Sequence, residues 1–147
     1  EPEEQLYARD LINLFNTNGG DVTILMKWDN GWTTQPAGMP FSGFLVNLGE
    51  GYVVHANASS MLPFFIPAPE SAVINFRRGY TLFSVPIINF TSAEILNITG
   101  GNCSIIFGYN ETIQIWDQFD TGESSFSLNP GEGYVAYCET QSTITLP

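Results

Sequence analysis

The side chains that could do acid–base or nucleophilic chemistry are few in this sequence. His55 is the single histidine, and it lies in the apolar run Val53-Val54-His55-Ala56. In such a run a packed or surface imidazole is more common than a general base. No Gly-x-Ser-x-Gly elbow is present, so a Ser-His-Asp triad has no support. We therefore predict no catalytic residue and no enzymatic activity.

Carboxylates could act in pairs or bind a metal. Glu50 and Glu132 each lie in a Gly-Glu-Gly motif, in separate parts of the chain. Glycoside hydrolysis needs two carboxylates within about 5–10 Å of each other, and we do not expect these two to lie so close. Asp117 and Asp120 flank a strand-like segment, yet no EF-hand or Asp-x-Asp-x-Asp loop surrounds them. No His and Cys cluster has zinc-ligand spacing. We predict turn carboxylates, with no metal and no cofactor.

Two cysteines, Cys103 and Cys138, lie in the second half of the chain. In an oxidising compartment an even pair within one small unit suggests a disulfide. Two buried free thiols are the alternative. Reactive-thiol chemistry is not expected, because no basic partner lies nearby in the sequence.

Asn-X-Ser/Thr sequons indicate where the protein resides. Five are present, and four of them fall close together in the second half of the chain. They are Asn57, Asn89, Asn97, Asn102 and Asn110. A sequon is used only where a transferase reaches the chain. Coincidence in an Asn- and Thr-rich sequence is the alternative, but we predict an extracellular, N-glycosylated protein.

The charge balance excludes several partners. The formal net charge is -11, because only 4 lysines and arginines oppose 15 carboxylates. Nucleic acids and anionic lipid surfaces both require clustered Lys and Arg. No apolar run reaches 18 residues, so no membrane-spanning helix is predicted.

An internal repeat is the clearest feature of the sequence. Residues 44–52 read FLVNLGEGY, and residues 126–134, 82 positions later, read FSLNPGEGY. Upstream, residues 8–13 match 92–97 and residues 19–25 match 100–106. Each copy carries one Gly-Glu-Gly-Tyr turn motif, namely Gly49, Glu50, Gly51 and Tyr52, or Gly131, Glu132, Gly133 and Tyr134. Collinear matches at a near-constant offset predict a tandem duplication.

Each copy reads as a short helix followed by strands. Helices are expected from about Leu6 and from Ser92, each ended by a Gly-Gly pair. Strands are expected over 22–28 and 103–109, and each is followed by a turn and a second strand with a tryptophan. We predict a mainly β protein of two tandem, β-sandwich-like units, each with one short helix. Unit one covers 1–67, a linker covers 68–72, and unit two covers 73–147.

The first copy lacks one element of the second. Before its helix the second copy has 73–76 and the long apolar strand 79–87, whereas the equivalent of these in the first copy would fall before residue 1. Both copies end on an apolar segment closed by proline, at Pro67 and Pro147. We therefore expect unit one to lack its opening strand.

The motifs of the second copy are similar to a tandem β-rich repeat of archaeal and bacterial extracellular surface proteins. The order is Gly79-Tyr80-Thr81-Leu82-Phe83-Ser84-Val85-Pro86, a short helix, Trp116, and Gly131-Glu132-Gly133-Tyr134. The family pattern is G-W-N-L-I-S-x-P, then W, then G-x-G-Y-W. Here Tyr80 replaces the first Trp, and Val53 and Val135 replace the last. The resemblance implies a cell-surface or extracellular-filament role without catalytic residues.

Three functions follow as hypotheses. An uncovered strand edge favours a structural subunit that polymerises head to tail with copies of itself. A second hypothesis is an excised segment of a longer repeat array, in which the missing strand lies upstream. A third is a carbohydrate-binding or adhesin module, in which Trp28, Trp32 and Trp116 stack on sugars. For these tryptophans we expect burial in the core instead.

Overall fold

A computed structural model describes residues 5–58, 71–85, 88–110, 112–120 and 124–147. The protein is mainly β: of the described residues, 48% lie in strands and 14% in helices, and the strands form several antiparallel sheets. The chain divides into two compact units. Unit 1 consists of Glu1–Asn47 and Tyr52–Pro67, and unit 2 of Leu48–Gly51 and Ala68–Pro147. The short segment 48–51, which we expected in the first unit, therefore belongs to the second.

The described residues of unit 1 form one helix and one sheet. Its elements are α1 (Ala8–Thr17), β1 (Val22–Trp28), β2 (Trp32–Pro36) and β3 (Tyr52–Ala56). The three strands are antiparallel in the order β2-β1-β3. The helix begins two residues after the predicted Leu6, and it is followed by Gly19 in a left-handed conformation (φ 89°). Such a φ favours glycine, which has no Cβ to clash.

Unit 2 holds the other helix and the remaining strands. Its elements are β4 (Ala72–Phe76), β5 (Gly79–Ser84), β6 (Phe90–Thr91), α2 (Ser92–Ile98), β7 (Cys103–Asn110), β8 (Ile115–Asp120), β9 (Ser127–Leu128), β10 (Gly133–Cys138) and β11 (Ser142–Leu146). The main sheet has the order β5-β10-β7-β8, and two smaller sheets pair β11 with β4 and β6 with β9. Ala72, expected at the end of a linker, is the first residue of β4.

Helix α2 begins at the predicted residue because of a capping box. The Thr91 hydroxyl accepts a hydrogen bond from the Glu94 backbone, and the Glu94 carboxylate accepts one from the Thr91 backbone. Two otherwise unpaired amides of the first turn are thereby bonded. The Glu94 carboxylate accepts hydrogen bonds from the Thr91 backbone N–H and from the Thr91 hydroxyl, and these two bonds lower the pKa of Glu94.

The two units differ in the core that the described residues form. In unit 2, fifteen buried residues form one cluster, and its largest fully buried side chains include Phe76, Phe83 and Ile106. In unit 1 the corresponding cluster has four residues, Ala8, Ile12, Val22 and Leu25. The apolar segment expected to close unit 1 at Pro67 lies outside the described residues, as do Pro86 and Ile87. Burial of apolar area is the main favourable term in folding, so the described part of unit 1 is the less self-supporting.

Candidate functional site

The candidate site is the outer edge of β3, the last strand of the unit 1 sheet. In the part of the chain that the structure describes, β3 pairs with β1 alone. β10, which occupies the matching place in unit 2, pairs with β7 on one side and with β5 on the other. Within the described ranges, β3 is thus an edge strand, whereas β10 lies between two strands.

One row of side chains across the unit 1 sheet shows what this edge leaves exposed. Gln35 of β2 lies opposite Leu25 of β1, which lies opposite Val54 of β3. Gln35 and Leu25 are 0% and 1% exposed, whereas Val54 is 46% exposed. The row is therefore buried at β2 and β1 and open at β3.

The same row in unit 2 is covered from end to end. Phe119, Ile106 and Ala136 are paired in register, and Ala136 is paired in turn with Thr81 of β5. Ala136, 82 residues after Val54, is 1% exposed. In unit 2, β5 pairs with the side of β10 that corresponds to the side of β3 without a described neighbour, and Phe83 of β5 belongs to the same buried cluster as Ala136.

A second pair of positions shows the same contrast. Ala56 at the end of β3 is exposed, whereas Cys138, at the end of β10, is fully buried. Opposite the end of each of these strands the neighbouring strand has a β-bulge, between Val22 and Ile24 in β1 and between Cys103 and Ile105 in β7. The two strands therefore have the same backbone course and differ in what covers them.

A tyrosine hydroxyl anchors the turn before each of these strands. The Tyr52 hydroxyl accepts a hydrogen bond of 2.7 Å from the Asn47 backbone N–H. The Tyr134 hydroxyl accepts one of 2.8 Å from the Asn129 backbone N–H and donates one of 2.8 Å to the Glu132 carboxylate. Burial, together with Glu132, raises the pKa of Tyr134 to about 12 despite the Asn129 bond. The predicted turn motif thus holds its strand through the tyrosine hydroxyl.

The glycines of the motif have two different roles. Gly49 and Gly131 both have φ 83°, which makes the bend. Gly51 allows close backbone approach, since a Cβ at this position would lie 2.7 Å from the Phe83 nitrogen. Through this contact residues 49–51 lie along β5. Glu50 and Phe83 form an isolated antiparallel β-bridge, and the Ser84 backbone N–H donates a hydrogen bond to the Gly49 carbonyl.

His55 lies on the candidate edge. It is exposed on β3, and its Nδ1 is 2.7 Å from the Thr23 hydroxyl on the neighbouring strand. Among the described residues there is no group of three His, Cys, Asp or Glu side chains that could hold a metal ion. Glu50 and Asp117 therefore belong to no such group.

Two of the three tryptophans are on the surface, so the prediction of core burial was wrong for them. Trp32 is 55% exposed and Trp116 is 53% exposed. Each crosses an aromatic ring of the adjacent strand with ring centroids 5.2 Å apart, Trp32 with Trp28 and Trp116 with Tyr109. Strand pairing explains the error, because these side chains project from the face opposite the buried row.

Cys103 and Cys138 form a disulfide that joins β7 to β10. The two residues are directly opposite each other in the strand register. The alternative of two free thiols is thereby excluded. The bond closes the bulged end of the unit 2 sheet, at the last residue of β10 that pairs with β5.

The five sequon asparagines lie at different levels of exposure. Asn57, Asn89 and Asn97 are exposed, and Asn102 and Asn110 are half-buried. Asn57 follows β3 directly, so it is beside the candidate edge. Asn110 closes the β7–β8 turn by accepting bonds from the Thr112 and Ile113 backbones.

Sequence reasoning missed Gln35. Its side chain is fully buried, and its Oε1 has no hydrogen-bond partner among the described residues. Its Nε2 donates long bonds to the carbonyls of Pro36 and Phe41. The repeat alignment could have found it, because Gln35 and Phe119 lie three residues after Trp32 and Trp116.

No helix in the described residues is long and apolar enough to cross a membrane. Comparison of the chain with protein-family models, with curated proteins and with solved structures finds no match.

Proposed function

We propose that this chain is an extracellular structural protein that assembles with copies of itself by adding a strand to the β3 edge. In this proposal the two units are tandem copies of one β module. Among the described residues, β3 has no strand on the side where β10 pairs with β5, and a neighbouring copy supplies that strand. The resulting head-to-tail contact does not close on itself, so it builds a filament or a surface layer.

The tandem duplication is supported by backbone hydrogen bonds that recur at near-constant offsets. The Ala8 N–H donates to the Phe44 carbonyl at 2.9 Å, and the Ser92 N–H donates to the Phe126 carbonyl at 2.9 Å. The tyrosine–amide bonds of the two turn motifs are separated by 82 positions as well. Independent modules have no reason to share such bonds at matching positions.

One observation carries the assembly proposal, namely the exposure of Val54 compared with that of Ala136. The first is 46% exposed and the second 1% exposed. Removing a valine side chain from water is favourable by roughly 1.5–3 kcal/mol when burial is complete. A strand bound beside β3 would gain part of this energy, together with main-chain hydrogen bonds.

The composition of the β3 edge leaves it open to pairing with another chain. β3 has the sequence Tyr-Val-Val-His-Ala, without Lys, Asp, Glu or Pro. Natural sheets protect exposed edges with such residues, since an unprotected edge pairs with another chain. β2, at the other edge, ends in Pro36 and so carries one of these devices.

The extracellular location and N-glycosylation belong to the same proposal. A disulfide persists in oxidising compartments and is rare in the cytosol. Three of the five sequon asparagines are exposed, as a transferase requires. Mass spectrometry of the native protein, before and after glycosidase treatment, tests both statements.

The assembly proposal is tested with Val54→Asp, which places a charge on the edge. Val73→Asp is the matched control, since Val73 is a similarly exposed strand valine (53%) in unit 2. We expect wild-type protein and the control to form filaments or a lattice in electron micrographs and to sediment as polymers. Val54→Asp should remain monomeric. A wild-type protein that stays monomeric at high concentration contradicts the proposal.

The excised-segment hypothesis places the missing strand upstream in the same polypeptide. Intact-mass measurement of the native protein distinguishes a longer repeat array from assembly of separate copies. A mass well above that of 147 residues plus glycans favours a longer array, and a matching mass favours separate copies.

Carbohydrate binding is a second candidate function, favoured by the exposure of Trp32 and Trp116. Each presents an indole to solvent beside a second aromatic ring. Flat aromatic faces pack well against the apolar faces of sugar rings, and a net charge of -11 favours neutral over acidic glycans. Glycan-array binding that is lost in Trp32→Ala plus Trp116→Ala would support this function. If the wild-type protein binds no glycan on the array, the glycans tested are excluded as ligands.

A further inference from the structure

We infer that folding closes the sequons at Asn97 and Asn102 to N-glycosylation and leaves the sequon at Asn110 open. This inference rests on the proposed glycosylation and specifies which sites the folded protein still offers. Every sequon ends in Ser or Thr, so a transferase must contact the hydroxyl of the third residue as well as the asparagine amide. In these three sequons the third residues are Thr99, Ser104 and Thr112.

The transfer reaction explains why both groups must be accessible together. The asparagine Nδ2 forms a bond to the anomeric carbon of an oligosaccharide that is carried on a lipid diphosphate. The bond from that carbon to the diphosphate oxygen breaks, the amide loses one proton, and the lipid diphosphate leaves. The enzyme therefore holds the asparagine side chain and the third-residue hydroxyl in one cleft. A hydroxyl that is buried or held in a bond within the protein is not available to that cleft.

The sequon at Asn97 is closed by the burial of Thr99, directly after α2. The asparagine is exposed, but Thr99 is only 3% exposed. The Thr99 hydroxyl donates a hydrogen bond of 2.6 Å to the Leu96 carbonyl and accepts one of 3.4 Å from the Cys103 backbone N–H. A transferase can reach this hydroxyl only when the end of α2 leaves the core.

The sequon at Asn102 is closed by contacts of all three of its residues. The Asn102 carbonyl accepts a hydrogen bond of 3.0 Å from the Glu139 backbone N–H. Cys103 is buried and forms the disulfide with Cys138. The Ser104 hydroxyl donates a hydrogen bond of 2.6 Å to the Glu139 carboxylate. Each residue of this sequon is thus tied to the end of β10 or to the residue that follows it.

The sequon at Asn110 lies at the end of β7, in the turn to β8. The asparagine is half-buried, but Thr112 is exposed. The backbone N–H groups of Thr112 and Ile113 donate to the Asn110 Oδ1, so these bonds engage the side-chain oxygen and not the nitrogen that receives the glycan. Ile113 and Ile115 are exposed as well. This turn can therefore enter an enzyme cleft without opening the core.

The order of modification and folding follows from these contacts. A glycan on Asn97 or Asn102 must be added before unit 2 folds, whereas Asn110 can receive one before or after folding. The sequon at Asn89 is intermediate, because Thr91 is half-buried and its hydroxyl belongs to the capping box. For Asn57 the third residue of the sequon lies outside the described residues.

The test compares the folded, unglycosylated protein with synthetic peptides of residues 94–102, 99–107 and 107–115. Each receives a purified oligosaccharyltransferase that accepts Asn-X-Ser/Thr, together with a lipid-linked oligosaccharide. Mass spectrometry of proteolytic fragments then gives the rate of modification at each asparagine. The peptides are too short to fold, so they correct for the different sequences of the three sequons. Asn110→Gln in the full-length protein is the control for the assignment of that site.

We expect Asn110 in the folded protein to react within about threefold of its peptide, and Asn97 and Asn102 to react at least about tenfold more slowly than theirs, because only local opening exposes the two sequons. A folded protein in which Asn97 or Asn102 reacts as fast, relative to its peptide, as Asn110 does overturns the inference. An Asn110 rate suppressed as strongly as the other two overturns it as well.

Native protein tests the proposed glycosylation separately. A native protein without glycans refutes that proposal, whereas the contrast between folded protein and peptides still decides this inference. Glycans on Asn97 of the native protein, together with that contrast, support transfer before folding.

Discussion

The hydroxyl of Tyr134 accepts a hydrogen bond of 2.8 Å from the backbone N–H of Asn129, five residues earlier in the chain. This bond closes the turn that leads into β10, and the same hydroxyl donates to Glu132. The Tyr52 hydroxyl makes the corresponding bond to Asn47 before β3. Each of the two turns is therefore fixed by a tyrosine hydroxyl, that of Tyr52 before β3 and that of Tyr134 before β10.

Tyr134→Phe should destabilise unit 2, because it removes both hydroxyl bonds and leaves the Asn129 amide without this acceptor. A net loss of about 1–2 kcal/mol in the free energy of unfolding is expected, measured by urea denaturation. Tyr109→Phe is the control, since Tyr109 is 46% exposed. An equal effect of both variants would contradict a structural role for the hydroxyl.

The stability of unit 2 should depend on pH in the alkaline range. Folding raises the pKa of Tyr134 from 10.0 to about 12, chiefly by burial. A raised folded-state pKa contributes stability that is fully present below the unfolded pKa and is lost as pH rises through the folded one. We expect unfolding midpoints to fall between pH 10 and about pH 12. Tyr134→Phe should show a smaller decrease over this interval.

Gly51→Ala should displace residues 49–51 from β5. The added Cβ would lie 2.7 Å from the Phe83 nitrogen and 3.0 Å from the Leu82 carbonyl carbon, and backbone atoms cannot yield as a flexible side chain can. A loss of about 1–3 kcal/mol is expected, measured by thermal unfolding. Gly31→Ala is the control, since its Cβ would meet nothing within 4 Å.

Gln35→Met should stabilise unit 1. The substitution removes a buried Oε1 that has no partner among the described residues and keeps a similar volume. A buried, unsatisfied polar group destabilises by about 1–3 kcal/mol, and the two long bonds from Nε2 offset part of that gain. Guanidinium denaturation should show a gain of about 1 kcal/mol. Thr34→Met on the exposed face should show none.

Replacing the disulfide with the residues found in unit 1, Cys103→Val with Cys138→Ala, should destabilise unit 2. The bond spans 35 positions, and closing a loop of that length stabilises by roughly 3–4 kcal/mol in the chain-entropy model. Chemical denaturation of the oxidised, reduced and double-mutant proteins measures the difference. Unfolding of unit 1, followed by Trp28 and Trp32 fluorescence, should not change.

Local features were readable from the sequence because they depend on neighbouring residues. Strand Val22–Trp28 and the start of α2 at Ser92 match the prediction, since β-branched runs and a Thr-x-x-Glu box act over a few residues. The bends at Gly49 and Gly131 were expected for the same reason. The start of α1 was two residues off, because Tyr7 supplies no side-chain cap.

The sequence by itself determined a mainly β chain with two short helices, and the cysteine pair as a candidate disulfide. Only the tertiary structure decided that Trp32 and Trp116 face solvent, that Gln35 is buried, and that residues 48–51 belong to unit 2. These outcomes depend on which strands become neighbours and which face of each sheet is covered. Pairing joins residues that are far apart in sequence, so no local pattern in the chain encodes it.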